Sequence, residues 1–106
     1  MADKPAELNG EELRRKLNLE TGRLGWPELQ RHFARGVVIT LSAELDLVEV
    51  AARFAQDDNT RVEQWLERGK IWRATDADAL RWSGYDPAFW AIVVAPWVLA
   101  QEINLH

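Results

Sequence analysis

Arg61, Gln64 and Arg68 recur at intervals of three and four residues, so on a helix they share one stripe. Arginine can offer a bidentate fork to guanine and glutamine one to adenine, which is the chemistry of reading a DNA major groove. The segment Leu45 to Trp72 gives that stripe a setting: two short amphipathic patterns meet at a polar turn, Gln56 to Asn59, and run into a strand signal. This is helix-turn-helix spacing, with Ala51, Ala52, Ala55, Val62 and Trp65 suited to the contact between the helices. The charge argues the other way. Glu63 and Glu67 form the adjacent stripe, and with Asp57 and Asp58 they offset Arg61, Arg68, Lys70 and Arg73, whereas DNA readers neutralise several phosphates with spare cations. Gln56 also stands where such turns often carry glycine. A helix pair used for packing or protein contact fits the charge better.

Six tryptophans form the second candidate constellation. Trp65, on the inner stripe of its helix, and Trp90, in a continuous apolar run, read as core. Trp72, Trp82 and Trp97, like Trp26, fall at element ends or in edge strands. There an indole, large and with one donor, can anchor a protein interface or simply fill a small core. Lys70, Trp72, Arg73, Arg81 and Trp82 interleave cations with aromatics, a pattern that also suits single-stranded nucleic acid.

Signals for catalysis are weak. There is no cysteine, which removes thiol chemistry, disulfides and cysteine-rich zinc sites. His32 and His106 are the only imidazoles, Ser42 lacks a glycine elbow, and no glycine-rich phosphate loop exists. Asp76 and Asp78 sit where a helix begins, and Asp57 and Asp58 in a turn, places that favour aspartate without any ligand. No catalytic residue, metal ligand or cofactor is therefore expected. Arg14, Arg15 and Lys16 are adjacent and spread around a helix rather than making one cationic face for a membrane.

The elements that must position these residues follow from caps and periodicity. Residues 1–7 are polar and predicted to fray, and residues 8–106 to make one domain. Asn9 caps a helix, with Glu12 reaching back and Leu8 stapled to Leu13, running to about Leu17. Thr21 to Gly25 reads as a loop, and Trp26-Pro27 opens a helix, proline first, that Gly36 stops. Val37 to Leu41 reads as a buried strand. Capping boxes at Asp46 with Glu49 and at Thr60 with Glu63 start the helix pair, and Gly69 ends it. Lys70 to Ala74 is a strand, Thr75 caps a helix to about Ser83, and Gly84 to Pro87 is a turn. Phe89 to Ala95, apolar throughout, is a central strand. Pro96 must break or bulge its ladder, leaving Trp97 to Ala100 as an edge strand or a packed tail. So apolar an edge invites a second copy around Trp97, unless the N-terminal helices cover it.

From about residue 27 to 100 the order of elements resembles a winged helix with one added helix. A second resemblance covers nearly the whole chain. "LNLETGRLGWPELQRHF" at 17–33, "LDLVEVA" at 45–51, "VEQWLERGK" at 62–70 and "VVAPWVLAQ" at 93–101 are similar to a bacterial family of roughly hundred-residue proteins catalogued as a domain of unknown function. It implies bacterial origin and one soluble domain, and brings no reaction or ligand with it.

At 106 residues the chain suits one compact α+β core. The net charge of −4 is concentrated in residues 36–106, which disfavours anionic partners. No apolar run approaches the roughly 18 residues of a membrane span, so a soluble, cytoplasmic protein is expected. The sequence thus predicts a non-enzymatic protein-interaction or regulatory module that binds another protein or itself. The alternatives are a winged-helix-like DNA-binding regulator acting through Thr60 to Arg68, and an enzyme whose motif is not recognisable.

Overall fold

A computed structural model describes residues 9–103, so the predicted fraying of residues 1–7 and the Leu8 staple lie outside the described residues. The elements are α1 (Gly10–Glu20), β1 (Gly22–Gly25), α2 (Trp26–Ala34), β2 (Val38–Leu41), α3 (Leu47–Ala55), α4 (Asn59–Glu67), β3 (Ile71–Arg73), α5 (Asp76–Tyr85), β4 (Ala88–Val94) and β5 (Trp97–Glu102). The fold is α+β. The strands form one mixed sheet in the order β1-β4-β5-β2-β3, in which only β2 and β5 pair in parallel.

The sheet is covered on both faces, which explains why its middle strands read as unbroken apolar runs. Val38, Phe89, Ala91, Val98 and Ala100 point to one side and pack under Trp26 and Leu29 of α2 and Trp82 of α5. Ile39, Leu41, Ile71, Ile92 and Leu99 point to the other and meet Leu17 of α1, Val50 of α3 and Trp65 of α4. Two cores therefore share one sheet.

Several local expectations change. Residues 22–25, read as a loop, form an edge strand because their backbone pairs with Ala88 to Ala91, a tertiary contact that Gly-Arg-Leu-Gly does not announce. Trp26 opens α2, with Pro27 second, and Gly25 donates its N–H to the Glu28 carboxylate at 2.9 Å. Helix α5 includes Gly84 and runs to Tyr85, capped by Asp86 in the left-handed conformation. The largest correction concerns β5. Pro96 lies in the two-residue turn between β4 and β5, where its missing N–H removes no ladder bond. The strand it was expected to exile pairs on both sides, with β4 and β2, and is the middle of the sheet. The open edge that pointed to self-association through Trp97 does not exist, since the edges are β1 and β3.

Helices α3 and α4 join β2 to its antiparallel neighbour β3, the order that a winged helix shares. Beyond β2 the sheet continues through β5, β4 and β1, with α5 laid on the far face.

Candidate functional site

The corner between α3 and α4 is built from its caps. Asp46 accepts from the N–H groups of Val48 and Glu49 at 3.0 and 3.3 Å and starts α3. Glu49 does not complete the predicted box, because its carboxylate reaches Arg14 at 2.6 Å and Arg53 at 2.9 Å. Burial works to raise the Glu49 pKa, but the two arginines outweigh it and hold the group below its ordinary value. The predicted Thr60–Glu63 box is also replaced. Asp57 turns the chain in the left-handed region, φ 56°, and Asp58 caps α4 by accepting from Arg61 N–H at 3.1 Å. Its other oxygen pairs with Arg53 at 3.2 Å, an attraction that Thr60 could not offer. Gly36 and Gly69, at φ 74° and 68°, stop α2 and α4 as their positions predicted.

This corner faces the start of β5 and encloses a cleft of about 430 Å³ on the α3–α4 face of the sheet. Phe54, Val62 and Leu66 supply the helical wall, while Val94, Pro96 and Trp97 supply the other, from the β4–β5 hairpin. Leu66 is 47% exposed, so the apolar wall opens to solvent. Two arginines reach the cleft in different states. Arg53 is held by Glu49 and Asp58. Arg73, from the edge strand β3, lies with its guanidinium 5.2 Å from the Trp97 ring centroid, and no carboxylate among the described residues pairs with it. Such a stacked cation is positioned by the ring face while its N–H donors stay in plane and available.

Of the predicted interaction residues, Trp97 is in this cleft, half-buried. Trp72 is half-buried under α5 and donates its indole N–H to Asp78 at 3.0 Å. Trp82 must be withdrawn: it is fully buried, its centroid 5.3 Å from Trp26 and 5.0 Å from Phe89, with its N–H on Glu102 at 3.2 Å. Trp90, expected in the core, is instead 42% exposed, because its face of β4 there borders an open hollow with Asn18, Thr21 and Val48.

The candidate nucleic-acid residues are brought together only in part. Arg61 and Gln64 share a shallow hollow with Arg53, Asp58 and Thr60, but Arg68 lies past the last residue of α4 and outside it. Arg61 rests 5.3 Å from the Trp65 ring centroid. The basic–aromatic cluster for single strands is dispersed: Lys70 pairs with Glu44 at 2.7 Å, Arg81 pairs with Asp78 at 3.1 Å, and Trp82 is internal. The Ser42 hydroxyl points to Glu44 at 3.3 Å. Among the described residues no three His, Cys, Asp or Glu side chains gather as a metal site would require, and no helix is long and apolar enough to cross a membrane.

Sequence reasoning missed the cleft because it joins segments far apart in the chain, the helix pair and the β4–β5 hairpin. The one available signal was that Arg73 and Trp97 flank the same sheet, which needed the position of β5.

The family model described as protein of unknown function (DUF2288) matches residues 12–102. The NMR solution structure of PA1075 from Pseudomonas aeruginosa is similar throughout, with 40% identity, 99% of this chain and 100% of that one covered, and a TM-score of 0.75. Among curated proteins none matches.

Proposed function

Since the chain belongs to the DUF2288 family, whose description names no reaction, we propose its function from geometry: a non-enzymatic interaction module that receives a segment of another protein in the cleft between the α3–α4 corner and the β4–β5 hairpin. The observation that carries the reading is Arg73 stacked on Trp97 beside an apolar wall, a cation without a counterion among the described residues where a partner would supply one. Aromatic and arginine side chains in a hollow are what interface anchors use. Of the cleft's other charges, Arg53 and Asp58 hold the corner together and Asp57 is exposed in the turn between the helices, and the wall carries no hydroxyl, thiol, amine or imidazole to act as a nucleophile.

A photo-crosslinking amino acid placed at Leu66, on the cleft rim, tests this in the native cell. Partners should be captured there and lost with Arg73→Glu, while the same probe at Leu80, exposed on α5 across the sheet, captures none of them. Capture through Leu80 and not Leu66 would refute it.

The DNA-binding alternative rests on the winged-helix order of elements and on Arg61 with Gln64. It has less support, since the exposed Glu63 and Glu67 share α4 with them. A cytoplasmic place for the module remains part of the proposal, consistent with a chain free of cysteine.

A further inference from the structure

We infer that the occupant of the cleft is the C-terminal residue of a partner polypeptide, its free carboxylate taken by Arg73 and the Trp97 indole N–H and its large apolar side chain laid against Phe54, Val62 and Leu66. This rests on the reading that the cleft is the docking site.

Two donors without partners among the described residues set the charge of the ligand. The Arg73 guanidinium offers a planar fork that a carboxylate fills bidentately. The Trp97 indole N–H has no acceptor among the described residues, whereas those of Trp26, Trp72 and Trp82 are each bonded to a side-chain oxygen. Of the two carboxylates in the lining, Asp58 is committed, one oxygen capping α4 and the other holding Arg53, while Asp57 stands exposed in the left-handed turn before α4. Nothing equivalent is found at the hollow beside Trp90, where Asp46 is engaged as a helix cap and no arginine or lysine lines the wall.

The size of the cleft sets how the anion and the apolar group are joined. A volume of about 430 Å³ lies at the low end of the roughly 300–1,000 Å³ typical of ligand sites, enough for one residue and its carboxylate rather than for a long peptide. In an extended peptide, adjacent side chains point to opposite faces, so an internal Glu or Asp would turn its anion away from the apolar neighbour. A chain terminus carries both groups on one residue. The rest of the partner leaves past Asn59, at the exposed mouth of the cleft, whose amide can pair with the preceding peptide group.

The test is an NMR titration of the full ¹⁵N-labelled chain with N-acetylated tripeptides ending in Leu, Phe or Trp, each as free acid and as C-terminal amide. A doubly capped peptide with an internal Glu beside Leu, and 3-phenylpropionate alone, complete the set. At least one free acid is expected to shift the Trp97 indole N–H and the Arg73 Nε–H saturably, with its amide weaker by about tenfold or more. Arg73→Gln should lose that binding and Arg73→Lys retain part of it, with thermal melts showing both folded. Equal binding of acid and amide overturns the inference, as does equal binding of the internal-Glu peptide. Tighter binding of 3-phenylpropionate than of every peptide overturns the polypeptide source, and absence of any shift in the low-millimolar range overturns the site. If the peptides fail while partners still crosslink through position 66, only this inference falls. If the crosslinks avoid the cleft as well, the docking reading falls with it.

Discussion

Asp78 and Thr40 are the two buried polar side chains of the described fold, and they are in opposite conditions. Asp78 accepts from the Trp72 indole at 3.0 Å and the Thr75 N–H at 2.9 Å, and pairs with Arg81. Burial tends to raise its pKa, but the Thr75 N–H, the indole and the other donors outweigh it, so the carboxyl sits below its ordinary value. A depressed carboxylate pKa contributes stability that is present above the unfolded value, about 3.9, and is lost as pH falls through the folded one. Asp78→Asn should therefore cost about 1.5–3 kcal/mol at neutral pH, the scale of hydrogen bonds to a charged group. Its deficit should shrink below about pH 4. Urea melts of both proteins across pH check this, and a gap that stays constant down to the acid limit would contradict it. Thr40, on β2 between Trp72 and Ala100, has a hydroxyl with no partner among the described residues. Thr40→Val keeps the shape and removes an unpaired polar group worth about 1–3 kcal/mol, so the variant should melt higher than the parent. A lower Tm would mean the hydroxyl has an undetected partner.

At the scale of elements, the α3–α4 corner depends on Asp58, which acts as helix cap and as counterion of Arg53. Asp58→Ala should cost about 1–2 kcal/mol and, at roughly 4–8 °C per kcal/mol for a domain near this size, lower Tm visibly. Asn at the same position should restore most of it, since the cap survives and only a part-exposed ion pair is lost. If Asn were no better than Ala, the ion pair rather than the cap would be the main contribution. The same corner shows what local pattern conveys. Gly36 and Gly69 were legible because each ends a helix in a conformation that costs glycine least, and Asn9 because its box is entirely local. Asp58 was misjudged in favour of Thr60 because both precede a helical run and only Arg53, five residues back, separates them. The rank of β5 was hidden for a related reason. Pro96 forbids a ladder bond at its own position, but whether that position is a strand or a turn depends on register with β4. The exposure of Trp90 depends on where α1 and α3 stop covering the sheet, and no property of residues 88–94 records that.

At the scale of the whole molecule, charge decides between partners. The chain is net −4, and five of the twelve Lys and Arg among the described residues are paired within it: Arg14 and Arg53 share Glu49, Lys16 meets Glu20, Lys70 meets Glu44, and Arg81 meets Asp78. A cation already neutralised releases few counterions on meeting a phosphate, and counterion release supplies essentially all non-specific affinity for DNA. Long-range steering points the same way, because an acidic body repels a polyanion before any contact forms. Arg73, unpaired among the described residues and set beside an apolar wall, can still recruit a single carboxylate, since that contact is short-ranged and needs no extended positive field. The purified protein should accordingly bind random duplex DNA no more than weakly at physiological salt. A gel shift decides it: a submicromolar complex that weakens as salt rises, and that disappears when Arg61, Gln64 and Arg68 are all changed to alanine, would make α4 a DNA-reading helix after all.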